Sequence, residues 1–164
     1  MPRKSKFSAP ELPAQIPRPG EGKRGPAGHI GYLLRQAQAV HRLRMDHALA
    51  DLDVTPPQFA VLTMLRAYPG ISNADLARLS FLTPQTVCMI VANLEKRGAV
   101  SRRPHAVHGR IQHLDVTPAG QSLLAAARER VQKVERWLLD GLTPTQDRAV
   151  RHWLAGLASR HGMT

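Results

Sequence analysis

The stretch that most constrains this chain is residues 83–98, which spell out a helix with both ends marked. Thr83 is a good N-cap, because its hydroxyl can accept from an orphan amide of the first turn. Pro84 follows at the first helical position, where its missing N–H costs nothing. Gly98 closes the helix, since it takes the left-handed conformation without a side-chain clash. Val87, Ile90, Val91 and Leu94 obey the i, i+3, i+4, i+7 rule and form one narrow apolar stripe. At about 100° per residue, Gln85, Met89, Ala92, Asn93 and Lys96 fall on the opposite side. That side offers amides, small residues and a cation, with no carboxylate. It has the chemistry to read base edges in a major groove. Taken by itself, the same pattern also fits an ordinary surface helix.

The neighbouring residues favour the first reading. Ser72-Asn73-Ala74-Asp75-Leu76-Ala77-Arg78-Leu79-Ser80 reads as a short helix opened by a Ser72/Asp75 capping box, and only Phe81-Leu82 separates it from Thr83. Two short helices joined tightly, the second with a polar outer face, make a helix-turn-helix pattern. Downstream, residues 99–104 and 110–116 alternate apolar and polar as strands do. Residues 105–109, which end in a glycine, make the turn between them. The sum is a winged helix-turn-helix.

These motifs resemble those of the MarR-type transcription regulators. The residues that carry the likeness are Val54-Thr55-Pro56-Pro57-Gln58-Phe59-Ala60-Val61-Leu62, Pro69-Gly70-Ile71-Ser72 and Thr83-Pro84-Gln85-Thr86-Val87. Val91-Ala92-Asn93-Leu94-Glu95-Lys96-Arg97-Gly98-Ala99-Val100, Gly109-Arg110 and Val116-Thr117-Pro118-Ala119-Gly120 complete the ordered set. It covers residues 28–160. One departure is visible: His108 stands before Gly-Arg, where the family often has an acidic residue. The wing tip is therefore more basic, and His108 offers the wing arginine no acidic contact. The resemblance implies a homodimer that binds a near-palindromic operator and releases it when a small ligand binds.

Composition agrees. The chain has 164 residues, with 23 Lys and Arg against 12 acids, a formal charge of +11. Such a balance suits a polyanionic partner. No apolar run approaches the roughly 20 residues needed to span a bilayer, and residues 1–25 lack the apolar centre of a signal peptide. One cysteine excludes an internal disulfide and fits a reducing cytoplasm.

The expected class is mainly α with a small β-wing: a winged helix-turn-helix at residues 54–116, with N- and C-terminal dimerisation helices at 28–53 and 117–160. Residues 1–27, basic and rich in Pro and Gly, read as a disordered tail, either a bare leader or an arm on phosphates. Residues 29–52 read as one long helix with Ile30, Leu33, Leu34, Ala37, Val40, Met45, Ala48 and Leu52 in one arc. Phe59, Val61, Leu62, Met64 and Leu65 nearly surround the next helix, so it should lie centrally. After the wing, Leu123, Leu124, Ala127, Val131, Val134 and Leu138 stripe a long helix, and Ala149, Val150, Trp153, Leu154 and Leu157 stripe the last. A small winged domain leaves these stripes little to cover, so pairing with a second copy is expected.

No catalytic signature is legible: there is no Gly-rich phosphate loop, metal-ligand spacing or nucleophile-elbow serine, so neither an enzyme nor a cofactor or metal is expected. His105, His108 and His113 cluster at the wing without cysteine or carboxylate at zinc spacing, and suit a place near phosphates. For DNA, Gln85, Thr86 and Asn93 would read bases, with Met89 on the same face. Thr83 and Lys96 would bind phosphate, Arg102 and Arg103 would flank the backbone, and Arg110 would enter the minor groove. His41 and Arg44 project into the apolar arc of the long helix, where polar groups need partners. With Arg66 and Tyr68 they are candidates for an effector pocket, and the family's effectors include aromatic acids and their coenzyme A thioesters. The alternatives are a non-specific architectural DNA-binding protein and a redox-sensing regulator acting through Cys88.

Overall fold

A computed structural model of the chain describes residues 16–104 and 112–160. It comprises two compact units, Met1–Val40 and His41–Thr164. Helix α1, Ile30–Leu49, runs through the boundary between them.

In the first unit, residues 16–27 had the composition of a disordered tail, yet they include a 3-10 turn at Gly22–Arg24. The turn is held by one arginine. Arg24 donates to the Pro17 carbonyl at 2.9 Å and to Gln36 Oε1 on α1 at 3.4 Å. Gly25 is the buried residue that lets the chain fold back there. A Cβ on it would sit 2.1 Å from the Gly20 carbonyl oxygen.

In the second unit, α1 ends at Leu49 and tightens into a 3-10 turn, Ala50–Leu52, rather than continuing as one helix to 52. Asp53 then turns left-handed, with φ 49°. Aspartate tolerates that conformation better than most side chains. The helices that follow are α2 (Pro56–Ala67), α3 (Asn73–Ser80), α4 (Pro84–Lys96), α5 (Pro118–Leu139) and α6 (Pro144–Arg160). Strands β1 (Val100–Pro104) and β2 (Gln112–Val116) lie between α4 and α5.

Four of these helices open with Thr-Pro, and in each the threonine does the same work. Thr55, Thr83, Thr117 and Thr143 accept from the amides of Gln58, Thr86, Gly120 and Gln146 respectively. Gln58 and Gln146 reach back to the amides of Thr55 and Thr143, both at 2.9 Å, completing reciprocal boxes. Proline supplies the preset φ at no loss of a hydrogen bond.

The strands pair antiparallel, Val100 opposite Val116 and Arg102 opposite Leu114. Val100 and Leu114 are buried at 3% and 1% exposure; Arg103 lies on the opposite face, while Arg102 shares the face of Leu114 and is nevertheless exposed. One core joins α2, α3, α4, the strands and α5 through Leu62, Leu65, Leu76, Leu94, Leu114 and Leu124. A second joins Met45 and Leu49 of α1 to Ala127, Val131 and Val134 of α5. Phe59 and Leu123 pack against both. The central α2 is thus buried through Val61, Leu62 and Leu65, as its all-round apolar pattern requires. Among the described residues no helix is long and apolar enough to cross a membrane.

Candidate nucleic-acid interface

Helix α4 is anchored by its apolar stripe. Val87, Val91 and Leu94 are fully buried and Ile90 is 8% exposed. Each fully buried side chain of this kind contributes about 1.5–3 kcal/mol, which fixes the rotation of the helix about its axis. The opposite side is therefore presented outward: Gln85, Met89, Asn93 and Lys96 are exposed, and Ala92 is half-buried. Met89 is 57% exposed, unusual for a methionine with an apolar core close by.

Helix α3 meets α4 through a turn at Phe81, whose left-handed conformation (φ 53°) ends α3. Ser72 caps α3 and donates to Asp75 Oδ2 at 2.6 Å, and Arg78 also pairs with Asp75. The Ser72 hydroxyl, then the Arg78 guanidinium, hold the Asp75 carboxyl below the usual carboxylate range.

At the start of α4, Thr83 and Thr86 share a hydroxyl–hydroxyl bond of 2.8 Å, while Thr83 Oγ1 accepts from the Thr86 amide. Whichever hydroxyl donates, the other keeps its hydrogen for an outside acceptor. Arg102 donates through Nε to both oxygens of Glu95, at 2.8 and 2.9 Å. Arg103 donates to Asp115 at 2.7 Å, and that carboxylate raises the guanidinium's pKa above its usual value. The residue pattern pointed to both arginines but to neither partner. The signal was present in the strand register, because Asp115 lies opposite Ser101 and so diagonal to Arg103.

Arg110, His105 and His108 lie outside the described residues. His113 is half-buried, and its Nδ1 makes a 2.6 Å hydrogen bond with the Gly70 carbonyl. It ties β2 to the loop before α3. Among the described residues no three His, Cys, Asp or Glu side chains group to hold a metal. Cys88 is exposed on α4, with the Asn73 amide 3.8 Å from its sulfur.

The four pocket candidates come from two helices, His41 and Arg44 on α1, Arg66 on α2 and Tyr68 at its C-terminal cap. Arg44 is exposed and stacks over the Trp137 ring, 3.6 Å from its centroid, joining α1 to α5. His41 is half-buried on α1. Arg66 borders a small cavity with Pro69, Asp115, Val116 and Gln121. At about 120 Å³ it is smaller than the several hundred Å³ of a typical ligand pocket. Tyr68 is 51% exposed at the end of α2.

Comparison with known proteins bears on this arrangement. The MarR family model matches residues 52–111. The chain is 36% identical over 130 residues to the HTH-type transcriptional repressor Rv2887 of Mycobacterium tuberculosis, covering 79% of this chain and 94% of that protein. The crystal structure of Rv2887 in complex with salicylic acid is similar to this one, at 36% identity and a TM-score of 0.65, over 79% of this chain and 96% of that one. The transcriptional repressor CouR bound to a 23-mer DNA duplex is similar at 28% identity and a TM-score of 0.75, over 80% of this chain and 94% of that one. By sequence, by fold and by the helix-turn-helix with its wing, this chain belongs to the MarR family of transcriptional regulators.

Proposed function

We propose that this chain is a dimeric, sequence-specific DNA-binding repressor, released from a near-palindromic operator by a small anionic ligand, an aromatic acid or its coenzyme A thioester. The observation that carries the reading is the outward face of α4. Gln85, Met89, Asn93 and Lys96 are exposed while the stripe behind them is buried at 8% or less. In this reading Gln85, Thr86 and Asn93 meet base edges and Met89 supplies an apolar contact for a thymine methyl. Thr83 and Lys96 hold phosphates, Arg102 and Arg103 flank the backbone, and Arg110 enters the minor groove. Residues 54–116 are the DNA-binding region. Residues 28–53 and 117–160 form the dimerisation region, and 1–27 a basic tail.

The dimer is supported by apolar side chains left exposed on the last two helices and the loop between them. Trp137, Leu138, Leu142, Val150, Trp153 and Leu154 are 37–46% exposed, a density that a lone soluble chain rarely leaves uncovered. A two-fold copy would cover this face and place two α4 helices on half-sites about 10 bp apart. The ligand class is supported by Arg44 on Trp137, a cation beside a ring, with His41 on the same helix. The relatives whose structures contain salicylic acid or a DNA duplex make both partners reasonable here. As a regulator of this kind it works in the cytoplasm.

The test is a gel shift with DNA from upstream of its own gene. The operator should outcompete random duplex by about 10³ or more. Equal competition would mean a non-specific architectural protein instead. Gln85→Ala, Asn93→Ala and Arg110→Ala should each weaken operator binding by about 1–3 kcal/mol. Thermal-shift screening with aromatic acids and acyl-coenzyme A thioesters identifies the effector, since a true ligand stabilises by RT ln(1 + [L]/Kd).

A further inference from the structure

Arg97 follows α4 directly, beside Lys96 on the DNA-facing helix, and its charge invites a phosphate role. Its guanidinium is used elsewhere. Nη1 donates to the main-chain carbonyl of Asp53, and Nη2 donates to the carbonyl of Leu52 at 3.1 Å. These are carbonyls at the end of the 3-10 turn that terminates α1, where the helix itself provides no amide to meet them. The Asp53 carboxylate, fully exposed, lies 3.9 Å away and adds little. A second arginine grips the same turn: Arg130 of α5 donates to Asp51 Oδ2 through Nε and Nη2, at 3.2 and 3.0 Å. The turn's own bonds are few. Asp53 N reaches Ala50 O at 3.1 Å and Val54 N reaches Leu49 O only at 3.4 Å.

Arg97 sits at the edge of the reading face. It lines one cleft together with Asn93, Lys96, Thr55 and Gln58. The buried stripe fixes how α4 is rotated about its axis. It constrains less well how the helix tilts about that stripe, and the C-terminal end at Arg97 is the arm that can be held. Gln85 lies about 9 Å along the helix from Val91 in the middle of the stripe, so a tilt of about 10° would carry it about 1.6 Å. Specific contacts tolerate about 0.5 Å.

We propose that Arg97 is a positioning residue for DNA reading: with Arg130 it clamps the turn at residues 50–53, and so sets the tilt of α4 from the end of α1. The proposal rests on the DNA-reading role proposed above for α4. The clamp links three elements, α1, α4 and α5, so a displacement of α1, or of α5 through the Asp51 carboxylate, reaches the reading helix through the Leu52 and Asp53 carbonyls.

The test uses the full chain and a duplex it selects from a random pool. Arg97→Lys keeps the charge and loses the two-pronged donor. Its affinity for the selected duplex should fall at least about fivefold, the smaller value of one lost base contact. Its affinity for random duplex, and the slope of log K against log salt, should match the wild type. In the DNA-free protein, amide exchange should quicken at Asp53, Val54, Arg97 and Gly98 and stay unchanged at Leu65 and Leu124. A merely weakened fold would quicken all six. Arg97→Met should lose as much specificity as Arg97→Lys at an unchanged salt slope; should it fail to fold, the lysine variant decides alone. The proposal is overturned if Arg97→Lys binds and exchanges like the wild type, or if Arg97→Met lowers the salt slope by about one. A wild-type protein that selects no duplex would sink the regulator reading, and the exchange measurement would then decide the clamp.

Discussion

Gly120→Ala tests how tightly the long helix α5 is seated on the wing. A Cβ at Gly120 would stand 2.0 Å from the Ala99 carbonyl oxygen, 2.8 Å from its carbon and 2.9 Å from Val116 Cγ1. Side-chain Cβ atoms essentially never approach closer than 3.0 Å, so α5 would have to retreat by about 1 Å. The hydrogen bonds that seat the helix stand in the way. Thr117 N donates to Ala99 O at 3.1 Å, and Thr117 Oγ1 donates to Gly98 O at 2.5 Å. Losing both costs about 1–3 kcal/mol at 0.5–1.5 each. Overpacking adds about 1–3 kcal/mol. Against this, alanine is favoured over glycine inside a helix by about 0.8–1 kcal/mol. The clash wins, and the net destabilisation is about 1–5 kcal/mol. Urea unfolding followed by Trp137 and Trp153 fluorescence, at one protein concentration, should show the midpoint falling by about 1 M. Gly156→Ala is the control, because a Cβ there meets nothing within 4 Å and helix propensity acts alone. It should raise the midpoint. If Gly120→Ala raises the midpoint as Gly156→Ala does, α5 is not seated as described.

Two further substitutions follow from local geometry. Phe81 is 78% exposed at φ 53°, so Phe81→Gly relieves a left-handed strain of about 1–2 kcal/mol and returns about half as backbone entropy. The melting temperature should rise by a few degrees, and a fall would mean the ring packs against something that its exposure hides. Asp75, with its carboxyl pKa lowered by Ser72 and Arg78, adds stability above the ordinary carboxylate pKa, and this is lost as pH falls through its lowered value. In acid titrations followed by circular dichroism, Asp75→Asn should therefore be less stable at neutral pH and lose less of its stability below about pH 4. Parallel acid limbs would show that the carboxylate is not stabilised by the fold.

The parts of this molecule that were legible in its sequence are those decided within a few residues. Thr83-Pro84 marked the start of α4, as the same step does for three other helices, and the Val87–Leu94 stripe marked its buried side, because capping and helical periodicity are local. The end of α1 was not legible. Nothing in Ala50-Asp51-Leu52 forbids another helical turn, and what holds the 3-10 turn are arginines 44 and 79 residues away in the chain. His113 was open to misreading for the same reason. As a charge near the wing it suited phosphates, whereas its place opposite Gly70 depends on how β2 crosses the α2–α3 loop. The stacking of Arg44 on Trp137 was not legible either, because no spacing rule relates residues on two separate helices.

Charge was the property for which a count was least informative, and the reason bears on DNA binding. Arg102 and Arg103 reach carboxylates of Glu95 and Asp115, and Arg97 reaches carbonyls, so much of the basic excess near α4 is already engaged in the free protein. This does not remove the wing arginines from the DNA face. Exposed ion pairs of this kind contribute about 1 kcal/mol or less, and a phosphate competes with a carboxylate on equal chemical terms while releasing counterions from the duplex. What the pairs do in the absence of DNA is hold two long side chains in place, Arg102 against α4 and Arg103 against β2, so that part of the rotamer entropy is lost before binding rather than during it. Arg97 differs, because its acceptors are main-chain carbonyls belonging to another helix end. In the proposed reading, moving it to a phosphate would release the turn at residues 50–53, so the exposed pairs would exchange partners on DNA and the clamp would not.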